Sequence, residues 1–327
     1  MSTGPERGGA STASLYRVDV LDPAVVAALL TRAARQDGVV TTSDLGALGL
    51  GPHVPRRLVR AGQWERLLRG AYLVRPGRVG VQRVRAWSRA ASLVVPGAVA
   101  GRSSASHLLG VQGAPVPAGA EVVLPPGRQK PSRPGLAVVV SALAPQDVVD
   151  VRGVATTSAL RTLVDLVPRL DRPAALSVLD SALALGLVTP EDLLVARERC
   201  AGRRGSSGAA DLWVLADGRA ESPLESRARL ACVEAGVPPD DLQVVVRTGD
   251  GHVVARGDLG FHRRSRPERR LLLLECDGKE VHAAPDALYR DRWRANALVA
   301  LGVDVIRCTW ADVEHPGRLP AMFRAAL

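Results

Sequence analysis

Between residues 22 and 37 apolar side chains recur as Val25-Val26, Leu29-Leu30 and Ala33-Ala34, the spacing of one helix face. Asp22-Pro23 supplies a start signal and Gly38 a stop. Thr41-Thr42-Ser43-Asp44 is an N-cap cluster leading into Leu45 and Leu48, and Gly49-Leu50-Gly51-Pro52 reads as a turn. A third helix is predicted from about His53 to Ala61, presenting Arg56, Arg57 and Arg60, with Gly62 closing it. Trp64–Leu68 and Ala71–Val74 flank Arg69-Gly70 as a small hairpin. Helix, short helix, turn, basic helix, hairpin is the order of a winged helix-turn-helix. In that arrangement the basic helix enters a major groove, and Arg69 at the wing tip reaches phosphate or the minor groove. A three-helix protein-binding module with a solvated arginine face has the same pattern.

Helical periodicity continues at about 81–94, 102–109, 158–167, 172–186 and 190–200, with short apolar strands near 120–124 and 136–141. Thr157-Ser158 caps the helix at 158–167, where Arg161 and Asp165 stand four apart as an ion pair. His107 follows Ser103-Ser104-Ala105-Ser106, yet no acid or base partner accompanies it, so capping serines and a buried histidine are the reading. Residues 201–220 carry Gly and Ser at one end and helical spacing in the middle, and read as a partly helical linker.

The last third changes character. Val253–Phe261 reads as a strand carrying Asp258, and after a basic turn Leu271-Leu272-Leu273-Leu274-Glu275-Cys276-Asp277-Gly278-Lys279 reads as a buried strand and its end. Strand side chains alternate between faces, so Glu275 and Asp277 share one face. Paired as a hairpin, the two runs bring Asp258 toward the same spot. Carboxylates gathered on one point repel unless a cation sits between them, and hard oxygen ligands favour Mg²⁺ or Mn²⁺. A core strand ending in a solvated acidic turn gives the same letters. His282 follows, and Pro285-Asp286 opens a helix bearing Arg290, Asp291, Arg292, Arg294 and Asn296. Gly302–Trp310 is another buried strand. Ahead of all this, Ser222-Pro223-Leu224-Glu225 fits a capping box with Glu225 at N3.

A chain of 327 residues exceeds one ordinary core and implies two or three domains. Charge then separates the parts. Residues 221–327 hold 16 basic and 16 acidic side chains, whereas residues 1–220 hold 27 and 17, so the whole net charge of +10 lies there. Such an excess attracts polyanions through counterion release. The scarcity of lysine, with only Lys130 and Lys279, points to coding bias behind the arginines. Cys200, Cys232, Cys276 and Cys308 show no metal-ligand spacing, and the last two fall inside apolar strands as small core residues. No signal-like opening or membrane-length apolar run is present, so a cytoplasmic location is expected. Residues 1–14, rich in Ser, Gly and Thr, read as a disordered tail.

Two resemblances add to these readings. Asp258, the Glu275-x-Asp277-Gly278 run, His282, the Arg290-Asp291-Arg292 helix with Asn296, and the strand ending in Trp310 resemble the very-short-patch-repair (Vsr-like) endonucleases of the PD-(D/E)XK superfamily, over about residues 221–315. The resemblance implies a four-stranded mixed sheet flanked by helices and Mg²⁺-dependent hydrolysis of DNA. Asp258 would bind the metal, Glu275 and Asp277 would complete the acidic site, and His282 would donate a proton or contact phosphate. It also suggests a functional glutamate at Glu225, which capping explains without chemistry. The short-patch-repair enzymes carry Thr-His where this chain has Cys276-Asp277, so Asp277-x-Lys279 sits nearer the general (D/E)-x-K pattern. The second resemblance rests on "QDGVVTTSDL", "VPRRLVRAGQWERLLRGAYLV" and "VRGVATTSALRTLVDLV", with Arg161, Thr162 and Asp165 in the last. These are similar to AbiEi-type antitoxins of abortive-infection systems over roughly residues 22–195. That family pairs an operator-binding winged helix with an α/β domain opposing a toxin.

The expected fold class is α/β, as an α+β multidomain chain. Its parts are a tail (1–14), a winged helix-turn-helix (15–79), an antitoxin-like α/β domain (80–200), a linker (201–220) and a nuclease-like mixed sheet flanked by helices (221–327). DNA is the expected partner, together with a cognate toxin protein and no membrane. The expected chemistry is attack of water on a phosphodiester beside a Mg²⁺ (or Mn²⁺) held by Asp258, Glu275 and Asp277. Lys279 or Arg290 would stabilise the charged transition state, with His282 protonating the leaving oxygen. The alternative is a non-enzymatic DNA-binding repressor or antitoxin whose nuclease fold is a scaffold.

Overall fold

The computed structural model describes residues 22–74, 77, 80–128, 131, 133–263, 268, 270–278, 285–315 and 317–326. The tail expected at 1–14 lies outside them. The chain divides into two units, residues 1–100 with 116–156, and residues 101–115 with 157–327. The expected boundaries at 80, 200 and 220 differ from this partition.

In the first unit, α1 (Pro23–Arg35) starts where Asp22 accepts the Ala24 N–H at 2.8 Å and Pro23 takes the first turn. After β1 (Val39–Thr41), a reciprocal capping box between Thr41 and Asp44 opens α2 (Thr42–Ala47). Next come α3 (His53–Arg60), β2 (Trp64–Leu68) and β3 (Ala71–Val74), with strand order β1-β3-β2. This is the winged helix-turn-helix order, with a short third strand that the apolar pattern did not announce. Leu29, Leu45, Val54, Leu58, Trp64 and Tyr72 form its core.

Helix α4 (Gly80–Val94) lies behind that sheet. Then β4 (Val99–Ala100), β5 (Ala120–Leu124), β6 (Leu136–Val140), β7 (Val148–Val151) and β8 (Val154–Thr157) make a five-stranded sheet of order β6-β5-β4-β8-β7. Only β5 and β6 were legible as strands. Trp87, Ala90 and Ala91 of α4 share one apolar cluster with Leu67, Leu68 and Leu73 on one side and Val122, Leu124 and Val138 on the other. Arg89 adds a polar bolt. Its guanidinium pairs with Asp37 at 3.0 Å and donates to the carbonyls of Arg152 and Gly153 at the β7–β8 turn.

The second unit begins with helices α5 (Arg102–Leu109), α6 (Ala159–Leu166), α7 (Arg172–Ala184) and α8 (Pro190–Cys200). Residues 201–220 hold a 3-10 turn and α9 (Leu212–Leu215), whose Leu212 and Trp213 are buried in the same cluster as Leu163, Leu179 and Leu193. Helix α10 (Pro223–Glu234) follows its Ser222 cap. Arg229 of α10 meets Asp180 of α7 in a pair whose side chains are 4% and 1% exposed. Strands β9 (Asp241–Arg247), β10 (Val253–His262), β11 (Leu271–Cys276) and, after α11 (Pro285–Ala300), β12 (Val303–Cys308) form a four-stranded sheet of order β12-β11-β10-β9. The first three are antiparallel and β12 joins β11 in parallel, so the sheet is mixed. Helices α10, α12 (Trp310–Glu314) and α13 (Arg318–Ala326) lie with one apolar cluster and α11 with the other. The fold is therefore mixed α/β and multidomain. Among the described residues no helix is long and apolar enough to cross a membrane.

Candidate functional site

Helix α3 sorts its residues by chemistry. Val54, Pro55 and Leu58 turn into the core, whereas Arg56, Arg57 and Arg60 are exposed. Arg56 and Arg60 stand four apart, on one face. They line an open cleft of about 690 Å³ together with Arg66 and Arg69 of the hairpin and Arg133 from the turn before β6. Thr42, Pro52, Pro55, Val59, Gly70, Tyr72 and Val94 complete the lining, so no carboxylate is among the lining residues. Among the described residues these five guanidiniums make no ion pair. The one acid of β2, Glu65, is clamped by both terminal nitrogens of Arg83, at 2.9 and 2.7 Å. Arg57 is exposed but does not line the cleft.

Local backbone detail sets this geometry. The register of β2 against β3 shifts between Arg66 and Leu68, so Leu67 and Leu68 are both buried while Arg66 is exposed. Strict alternation would have placed Arg66 beside Leu68, which is why the sequence pattern did not single it out. The wing turn is tied down as well. Gly70, at φ +87°, accepts the Thr42 N–H at 2.9 Å, and a Cβ there would come within 3.3 Å of the Thr42 hydroxyl. Arg69 is thus presented by a turn anchored to the start of α2.

The acidic residues of the second unit are arranged differently from the expected trio. The β10–β11 hairpin forms, with Leu259 opposite Leu274. Asp258, next to that pair, turns its Oδ2 to the Cys276 N–H at 2.7 Å. Glu275 instead pairs with Arg294 of α11 and lies 3.4 Å from Arg307 of β12, and Asp277 lies 4.0 Å from the same Arg307. Glu225 accepts the Glu221 N–H, the Ser222 hydroxyl and the Gln243 amide, at 2.8, 2.7 and 2.8 Å. Arginines thus stand against Glu275 and Asp277, where a shared cation was expected. Among the described residues no group of three His, Cys, Asp or Glu side chains is placed to hold a metal. Burial pushes Asp258 above the usual carboxylate range, against the Cys276 N–H and with help from the Glu275 charge. Glu225 moves the same way, chiefly through burial, with the Asp258 charge adding.

Lys279 and His282 lie outside the described residues, as do the side chains of Arg290 and Asp291, whose backbones belong to α11. Asn296 is exposed on α11. Arg294, Arg307 and Gln243 were not assigned to the site from sequence. Their roles depend on strand register and helix packing, which a linear pattern does not carry.

Two curated proteins of Mycobacterium tuberculosis, "Uncharacterized protein Rv2248" (strain H37Rv) and "Uncharacterized protein MT2308" (strain CDC 1551), are each 36% identical over 172 residues. The match takes in 52% of this chain and 61% of theirs, so the chain spans about three-fifths of the length of the relatives it matches. The crystal structure of the RV2827C protein from the same organism is 18% identical, covering 74% of this chain and 90% of that one, with a TM-score of 0.38. A family model described as "Transcriptional regulator, AbiEi antitoxin" matches residues 28–75, the stretch that contains α2, α3 and the hairpin. Residues 28–75 are an AbiEi antitoxin-type transcriptional regulator domain.

Proposed function

We propose that this chain is a duplex-DNA-binding transcriptional regulator of the antitoxin kind. The observation that carries the reading is the cleft between α3 and the hairpin, with its unpaired guanidiniums and no carboxylate. Such a surface neutralises phosphates and releases their counterions. The exposed face of α3 supplies the helix that enters a major groove, and Arg69 the wing contact. Operator DNA is the first partner and a cognate toxin protein the second, which places its action in the cytoplasm. The test is a salt titration of binding to a labelled duplex by fluorescence anisotropy. The affinity should fall with log salt at about −0.9 per neutralised phosphate, or roughly −3.6 for Arg56, Arg60, Arg66 and Arg69 together. A flat salt dependence, or no binding to duplex, removes the reading.

Hydrolysis of DNA with Mg²⁺ (or Mn²⁺) is the second reading. What favours it is the pair of carboxyls beside the end of β11, the half-buried Asp258 and the buried Glu225, both raised by desolvation. The donor set does not fit a shared cation. Glu275 is held by arginines, and Glu225 is engaged by three donors. No hydrolytic step follows from this arrangement, and the sheet then serves as scaffold.

One variant tests both halves of that statement. The folded-state pKa of Asp258 is raised, so its charged form costs stability, and the cost grows as pH rises above the ordinary carboxylate value. Asp258→Asn removes the charge and keeps an oxygen that accepts the Cys276 N–H. It should melt higher than wild type at neutral pH and converge with it below about pH 4. A lower melting temperature at neutral pH would mean that the carboxylate is stabilising. Nicking of plasmid by the wild type with either metal, lost in this variant, would establish hydrolysis; intact plasmid with both metals removes it.

A further inference from the structure

The matched regulator domain ends at residue 75, but the cleft does not. Its fifth arginine, Arg133, comes from the five-stranded sheet, 58 positions beyond that end, and Val94 of α4 lies in the same wall. Arg133 is half-buried, and among the described residues its guanidinium has no hydrogen bond or ion pair. An arginine that lines a cleft with four others and no acid has, among the described residues, nothing to neutralise it. Like charges held together cost stability, and a polyanion relieves that cost.

The backbone under Arg133 is fixed by its neighbours. The Arg133 carbonyl accepts the Leu136 N–H at 3.2 Å across Pro134-Gly135, and Gly135 has φ +76°. Proline followed by a left-handed glycine is the sequence of a tight turn with little freedom. The Gly135 carbonyl accepts the Ala120 N–H at 2.8 Å, which anchors the turn to β5. A Cβ on Gly135 would come within 2.4 Å of the Trp87 ring, so the turn sits directly on the core side of α4. The guanidinium is therefore presented from a rigid base, which lowers the ordering cost of a contact.

We infer that Arg133 is a phosphate-contacting residue for duplex DNA, which extends the binding surface from the regulator domain onto the five-stranded sheet. This rests on the reading of the cleft as the DNA site. The DNA backbone that leaves α3 and the wing passes over the Arg133 turn, so the sheet holds the duplex without reading its sequence. The contact adds affinity on any duplex and little discrimination between sequences.

The test uses the full chain and a short labelled duplex of arbitrary sequence, titrated at several salt concentrations. Arg133→Gln should reduce the salt slope by about one unit and weaken binding about tenfold at moderate salt, with a melting temperature no lower than that of the wild type. Arg133→Lys should restore the slope, because a point charge suffices for phosphate. Arg128→Gln removes the same charge from an exposed loop position outside the cleft and should leave the slope at its wild-type value. Arg56→Ala with Arg60→Ala reports on the cleft reading itself. If Arg133→Gln binds as wild type while the α3 variant loses affinity, the inference is overturned and the α3 reading stands. If Arg128→Gln loses as much as Arg133→Gln, the effect is general charge and the inference is again overturned. If the α3 variant binds as wild type, the cleft is not the DNA site and the inference falls with it.

Discussion

Replacing Arg56 and Arg60 together with alanine should lower duplex affinity about a hundredfold at physiological salt and reduce the salt slope by about two units. The size of the effect follows from their placement. Both lie on the same exposed face of α3, and both line the acid-free cleft. The fold should be untouched, because Val54, Pro55 and Leu58 carry the helix's packing. Arg57→Ala is the internal comparison. That residue is exposed on α3 but outside the cleft lining, so its loss should matter less. Equal losses for Arg57 and for the Arg56/Arg60 pair would show that the cleft is not the contact surface.

The largest effect on stability should come from the Arg229–Asp180 pair. Arg229 donates to both carboxylate oxygens at 2.9 and 2.8 Å and to the Leu215 carbonyl at 2.6 Å, while Asp180 also accepts the Asp217 N–H at 2.8 Å. Burial raises the Asp180 pKa in spite of the arginine. Desolvation therefore outweighs attraction for this carboxylate, and the pair itself is a poor source of stability. Breaking it from one side is another matter, since a guanidinium is then left buried and unpaired. Asp180→Ala should cost about 3–5 kcal/mol, read as a shift of the urea midpoint. Asp180→Leu combined with Arg229→Met should recover part of that loss, although the Asp217 N–H and the Leu215 carbonyl remain without partners. A cost below about 1 kcal/mol for Asp180→Ala would mean that water reaches Arg229.

Much of the architecture was legible where local signals act alone. Asp22-Pro23 and Ser222-Pro223 start their helices as capping chemistry dictates. The basic helix and hairpin are where the apolar spacing puts them, and β10 pairs with β11 as a hairpin. Other features depend on partners distant in sequence. Strand β4 is two residues long and exists only because β5 and β8 flank it. Leu212 and Trp213 sit in a stretch whose glycines and serines suggest a linker, yet the cores of α6, α7 and α8 enclose them. The acidic site was half legible. Asp258 and Glu275 do come to adjoining strands, but the spacing of carboxylates along a strand says nothing about Arg294 and Arg307, which arrive from α11 and β12. Arg133 was invisible for the same reason.

Helix α4 has a consequence for how the first unit would respond to a ligand bound at α3. Its Trp87 and alanines are common to the hairpin and to the five-stranded sheet, and Arg89 joins Asp37 to the β7–β8 turn. The segment that matches the regulator family is therefore not a cooperative folding unit of its own. Its melting is coupled to that of a sheet it does not include. By linkage, a ligand that binds only the native form protects everything that unfolds with its site. DNA held at α3 should thus slow hydrogen exchange in β5 and β8, and damage to that sheet should weaken the grip on DNA without touching a single contact.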